Sequence, residues 1–224
     1  MRTAAILPVK SFSRAKRRLG TSVADPLRED LARAMVGDVL ASLSETGSIG
    51  RTIVVTREDS VAEMARDLGA LVVRDTNEES QSAAVALGVA TALIEGFERV
   101  LCIPGDCPAL EPAELDALLD GAASETVIVP DRHGTGTNGL LLSPPDVIPP
   151  SFGPGSCERH LALARAAGAS YRIERPGSLL LDIDTGEDLT VLRERLSREQ
   201  TRAPRTRAVL GRSSEPCLSS PPAA

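Results

Sequence analysis

Along this chain, short unbroken runs of aliphatic residues alternate with longer stretches whose apolar positions recur every three or four residues. The first kind reads as strands buried on both faces, the second as amphipathic helices. Residues 3–9 form the first strand run. Residues 26–43 form the first helix, with Leu27, Leu31, Met35, Val39 and Leu43 on one face behind an Asp25-Pro26 opening. A strand at 52–56, a helix at 60–68, a strand at 70–74, a helix at 81–95, the strand run Val100-Leu101-Cys102-Ile103 and a helix from Glu111-Pro112 continue the alternation. Strands at 127–129 and 139–142 leave no room between them for a crossover helix, which predicts that the second is antiparallel or displaced in the sheet. After a loop rich in proline and glycine at 144–155 come a helix at 157–167, a strand at 171–173, an acidic strand end at 179–184 and a last helix after Thr185. The pattern predicts an α/β domain over residues 1–196, with a mixed, mostly parallel sheet and helices on both faces. From Ser197 to Ala224 the composition shifts to Arg, Ser, Pro and Ala without apolar period, which predicts a disordered tail.

Polar chemistry gathers where the strand runs stop. The run at 100–103 ends on Pro104-Gly105-Asp106-Cys107-Pro108, and a carboxylate at the carboxyl end of a parallel strand stands where open α/β sheets bind ligands. A second acidic end is Asp182-Ile183-Asp184, where alternation sends both carboxylates to one side and Ile183 to the core. Brought together, Asp106, Asp182 and Asp184 would make an all-oxygen site suited to Mg²⁺ against a substrate phosphate. Thr185 and Asp188 read as a capping pair for the last helix. The loop after the first strand, Pro8-Val9-Lys10 through Lys16 to Leu19, is basic and sits where backbone N–H groups and cations meet nucleotide phosphates, although it lacks a glycine run. Small and hydroxyl residues at Thr135-Gly136-Thr137-Asn138-Gly139 and Phe152-Gly153-Pro154-Gly155-Ser156 would let amides approach an anion, with Ser156 at a helix start. Taken singly, each segment also has a bland reading: a plain turn, a solvated basic loop, an N-cap. His133 lies in a loop, and His160 on the first turn of a helix reads as a hydrogen-bonding or packing residue rather than a catalyst.

Composition narrows the partners. A formal charge of -6, a pI near 5.1, 2% aromatic content and no Trp leave neither a basic field nor a stacking platform for nucleic acid. No apolar stretch is long enough to span a bilayer, and the first ten residues do not read as a signal peptide, so a cytoplasmic, membrane-free enzyme is expected. Cys102, Cys107, Cys157 and Cys217 form no CxxC pair, which argues against a zinc site or a disulfide scaffold. Of 25 lysines and arginines only Lys10 and Lys16 are lysines, and both fall in the loop after the first strand.

In order along the chain, ILPVKSFSRAKRRL, IPGDCPAL, GTGTNGLLL, FGPGSCERH and LDIDTGEDL resemble the 2-phospholactate guanylyltransferases of coenzyme F420 biosynthesis, including their phosphoenolpyruvate guanylyltransferase branch. The resemblance runs from about Thr3 to Leu192. It implies a Rossmann-like nucleotidyltransferase fold of the glycosyltransferase-A type, and an activity that joins GTP to a three-carbon phospho-acid with release of diphosphate. Phosphoenolpyruvate is favoured over 2-phospho-L-lactate as that acid. By position it implies Lys10 and Asp106 as catalytic residues and Pro8, Lys10, Lys16, Ser82 and Gly105 around the nucleotide. Thr137, Gly153 and Ser156 fall on the phospho-acid, and Asp106, Asp182 and Asp184 on Mg²⁺. The tail offers a place for transient contact with the downstream deazaflavin transferase. The chain departs from its relatives where they carry Gly-Leu-Asn at a helix opening: it has Glu78-Glu79-Ser80-Gln81-Ser82-Ala83, with Ser82 at the asparagine position. A molybdenum-cofactor nucleotidyltransferase of the same fold, or a non-catalytic nucleotide-binding α/β domain, stands as the alternative.

Overall fold

The computed structural model describes residues 1–12, 25–120, 125–199 and 201–212. Its elements run β1 (Thr3–Val9), α1 (Asp25–Glu45), β2 (Arg51–Thr56), α2 (Asp59–Asp67), β3 (Leu71–Arg74), α3 (Gln81–Ile94), β4 (Arg99–Cys102), α4 (Pro112–Leu119), β5 (Thr126–Pro130), β6 (Thr137–Leu142), α5 (Ser156–Ala166), β7 (Tyr171–Ile173), α6 (Gly186–Arg198) and α7 (Pro204–Arg212). One seven-stranded sheet has the order β3-β2-β1-β4-β6-β5-β7. Every neighbouring pair is parallel except the two made by β6, which runs antiparallel to β4 and to β5. The short 131–136 connection therefore does what its length requires.

Period-two alternation in β1 builds the two layers. Ala5, Leu7 and Val9 face a core shared with α1, α2 and α4, while Ala4 and Ile6 face one shared with α3 and α5. Helix α3 beds closely on β1: a Cβ on Gly88 would stand 2.5 Å from Ile6 Cγ2, so only glycine lets the helix lie there. Because α3 follows β3, its first turn, with Gln81 and Ser82, is delivered to the carboxyl edge of the sheet. Among the described residues, no helix is long and apolar enough to cross a membrane. Cys102, Cys107 and Cys157 are buried thiols, and burial pushes that of Cys102 far above its usual range.

Two expectations need correction. The acidic stretch before α6 is not a strand: residues 181–184 join no ladder of the sheet, and Ile183 N donates instead to the turn carbonyl of Asp106 at 3.1 Å. Nor does structure end at residue 196. Helix α6 continues to Arg198, and α7 packs on α1, where Leu31 and Met35 join Leu189, Leu192, Val209 and Leu210 in a third apolar cluster. Residues 213–224 lie outside the described residues. The buried Asp38 of α1 caps α7 from across the interface, accepting from Arg205 N at 3.1 Å and Thr206 N at 2.8 Å. Burial raises the Asp38 carboxyl pKa despite the bonds from Thr206 and Arg205 that lower it. Asp38→Ala should lower the unfolding free energy by about 1–2 kcal/mol, because two helix-start donors lose their acceptor. Denaturant unfolding measures this, and an unchanged midpoint would contradict the capping role.

Candidate active site

The parallel ladder between β1 and β4 extends one residue past β4, with Ile103 N donating to Ile6 O at 3.0 Å. Pro104 has no N–H to continue it, and the chain turns. Gly105 passes so close over α1 that a Cβ would stand 2.9 Å from Val36 Cγ2, and the turn presents Asp106 at the carboxyl edge. Thr185 opens α6 with the expected capping box: Asp188 N donates to Thr185 Oγ1, and Thr185 N donates to Asp188 Oδ2 at 2.7 Å. That box fixes the end of the preceding extended segment, whose Ile183 is fully buried while Asp182 and Asp184 face outward together.

These pieces enclose a polar cavity of about 470 Å³. Asp106, Asp182 and Asp184 line it, together with Thr137, Gly153 and Ser156. Burial raises the Asp182 carboxyl pKa, the nearby charge of Asp106 raises it further, and Asp184 adds to this. Asn138 works the other way, donating from Nδ2 to Asp182 Oδ1 at 3.1 Å and to Leu179 O at 2.8 Å. Like charges held together in an all-oxygen wall suit a hard divalent cation, which would relieve their repulsion. Among the described residues, however, no three acidic, histidine or cysteine side chains are already drawn to metal-ligand spacing. The carboxylates share a cavity without forming a finished cage.

A second, smaller cavity of about 200 Å³ adjoins the first. Pro8, Lys10 and Gly105 line it together with Asp106 and Asp184, so those two carboxylates stand in the wall between the cavities. Lys16 lies outside the described residues. Ser82 lines neither cavity; its hydroxyl accepts from Phe152 N at 2.8 Å and ties α3 to the loop before α5. The adjacent Gln81, given no role from sequence, does line the larger cavity. The loop after β1 also departs from expectation. Its amides at Ser11 and Phe12 donate to Glu78 Oε1 at 2.6 Å and Glu58 Oε1 at 3.0 Å, so carboxylates hold the N–H groups expected to meet phosphate.

The stretch of the cavity wall around Thr137 and Ser156 is shaped by side chains that sequence reasoning passed over. Asp131 accepts from Thr135 N and Gly136 N, both at 2.9 Å, and shapes the approach to Thr137. Burial alone would raise its pKa, but these amide bonds outweigh burial and lower it. Helix α5 starts with Ser156 as its first helical residue behind Gly155 in the left-handed region, so Ser156 is not the cap. Gly153 is also left-handed, with φ 106°. Arg159 gathers the outward carbonyls of this loop, donating to Ser151 O at 3.0 Å, Phe152 O at 3.1 Å and Pro154 O. With the carbonyls turned toward the guanidinium, the helix start and its glycines offer a cavity wall favourable to an anion. His133 Nε2 accepts from Arg132 Nε at 3.1 Å on the surface, while His160 is fully buried and hydrogen-bonded.

The family model described as guanylyl transferase CofC-like matches residues 3–203. The chain is 47% identical over 213 residues to the phosphoenolpyruvate guanylyltransferase of Conexibacter woesei, covering 94% of this chain and 96% of that one. It is 33% identical over 189 residues to the 2-phospho-L-lactate guanylyltransferase of Methanothermobacter thermautotrophicus, covering 84% and 83%. Among solved structures, a nucleotidyl transferase from the same Methanothermobacter species matches with a TM-score of 0.66 at 22% identity, over 88% of this chain and 99% of that one, a likeness of fold.

Proposed function

The chain belongs to the CofC-like guanylyl transferase family, and on that premise we propose that it joins the guanylyl group of GTP to a three-carbon phospho-acid, with release of diphosphate, in the making of coenzyme F420. Phosphoenolpyruvate is the favoured acid, because the relative at 47% identity bears that name while the one at 33% is named for 2-phospho-L-lactate. The observation that carries the reading is the wall shared by the two cavities: Asp106 and Asp184 line both, one cavity having Lys10 and the other the Thr137–Ser156 wall.

In this reading the phospho-acid lies in the larger cavity against Thr137, Gly153 and Ser156, and the triphosphate lies on the side of Pro8, Lys10 and Gly105. By resemblance alone, Lys16, outside the described residues, would add a further cation for the nucleotide. A phosphate oxygen of the acid attacks the α-phosphorus of GTP, a new P–O bond forms, and the bond to the β-phosphate breaks. The attacking phosphate is already ionised, so no general base is required, and the protein's work is to hold two polyanions in line. Asp106, Asp182 and Asp184 would hold Mg²⁺. When bound, the ion neutralises phosphate charge, which is the chemistry that carboxylates alone cannot supply. Lys10 stabilises the charge that builds on the departing diphosphate. Ser82 stands at the position of the relatives' asparagine, and Gln81 beside it is a further polar group on the first turn of α3.

The test is release of diphosphate from GTP with each of phosphoenolpyruvate, 2-phospho-L-lactate and 3-phospho-D-glycerate, coupled to the downstream deazaflavin transferase to trap the product. Release that requires GTP, one acid and Mg²⁺ is expected. Equal release without any acid would overturn the reading.

A further inference from the structure

Behind Thr137 and Ser156 lies a side chain that the reaction above does not use. His160 is fully buried on α5, and its Nε2 stands 2.9 Å from Ser151 N. A backbone N–H can only donate, so Nε2 is the acceptor and the proton of the neutral ring sits on Nδ1. Burial, followed by the charge of Arg159, pushes the imidazole down to about 4, so the ring is neutral near pH 7. The Phe152 ring meets it edge-on, with centroids 5.1 Å apart at 72°.

The consequence comes from counting hydrogens. Nδ1–H donates to Thr137 Oγ1 at 3.1 Å, and Thr137 Oγ1 lies 3.0 Å from Ser156 Oγ. The two hydroxyls own two hydrogens, and the bond between them uses one. With Nδ1 already a donor, the second hydrogen cannot turn back to the ring, and both residues line the larger cavity. In the other tautomer Nδ1 would accept from Thr137, Thr137 would accept from Ser156, and no hydroxyl hydrogen would remain.

We propose that His160 is a positioning residue for the phospho-acid: through Thr137 it commits one hydroxyl hydrogen of the Thr137–Ser156 pair to the anionic group of that substrate. The inference rests on the guanylyl-transfer reading and deepens it. His160 touches neither substrate. Its place is taken in the packing of α5 against the loop before it, and its effect reaches the cavity by way of one hydrogen-bond direction.

Steady-state kinetics of His160→Ala should show the KM for phosphoenolpyruvate raised about tenfold or more, with the KM for GTP within about twofold of wild type. His160→Asn, whose amide nitrogen stands near the Nδ1 position and can donate to Thr137, should recover most of that loss. An unchanged phosphoenolpyruvate KM, or equal rises for both substrates, would overturn the role. Should His160→Ala fail to fold, nitrogen NMR of wild-type protein labelled at its two histidines decides the matter. A buried ring protonated on Nδ1 is expected, and one protonated on Nε2 contradicts the proposal. Failure of the underlying reading is distinct: wild-type protein would then release no diphosphate with any acid.

Discussion

Asp106→Asn is expected to cut turnover by at least about a hundredfold while the protein unfolds at the wild-type denaturant concentration. The substitution keeps shape and removes one charge. Asp106 reaches the wall between the two cavities from a turn whose path is set by Pro104, by the contact of Gly105 with Val36 and by the bond from Ile183 N to Asp106 O, none of which depends on the carboxylate. The charge matters because it acts jointly. Asp106 is the second cause, after burial, that holds the Asp182 pKa up, so removing it should lower the Asp182 pKa and weaken the pull of the wall on a cation. Two readouts follow. Diphosphate release should fall at every Mg²⁺ concentration, and the titration of Asp182, followed by carboxyl NMR, should move to lower pH. Near-wild-type turnover in saturating Mg²⁺ would remove Asp106 from the reaction.

The strands were legible because burial on both faces leaves an unbroken apolar run, as in Val100-Leu101-Cys102-Ile103, whatever the rest of the fold does. The reversed direction of β6 followed from the shortness of the chain before it. Asp182 and Asp184 were read correctly as facing one way, since side chains alternate along any extended backbone, but alternation says nothing about hydrogen-bond partners, and the segment proved to be no strand. Helix α7 was missed for a related reason. Thr206, Val209 and Leu210 are buried at the helical spacing i, i+3, i+4, but only two of them are apolar and they sit among arginines in a nine-residue helix, too short a pattern to stand out. Helix α1, with α6 residues beside it, gives them a surface, and the helix-start amides of α7 account for the carboxylate buried at Asp38. The grip of Glu58 and Glu78 on the loop after β1 joins residues 46 and 67 positions apart, beyond the reach of any local pattern.

That grip sharpens what is expected of Lys10. With Ser11 N and Phe12 N engaged by carboxylates, the loop has two fewer backbone donors for a triphosphate than its position in the fold suggests. The burden of positive charge then shifts to side chains, and Lys10 is the exposed cation that shares the smaller cavity with Asp106 and Asp184. It lines that space together with two carboxylates, and the arriving triphosphate adds further negative charge that a cation answers. Lys10→Met keeps the apolar stem and discards the charge, and should lower kcat about tenfold to a hundredfold at saturating GTP, phospho-acid and Mg²⁺. Because Lys10 does not line the larger cavity, the KM for the phospho-acid should stay near wild type. Lys10→Arg, which restores a cation of different shape, should recover part of the rate. Diphosphate release measured across the three proteins separates the possibilities: a fall shared equally by Met and Arg would assign Lys10 a packing role, and an unchanged kcat in Lys10→Met would take it out of the chemistry.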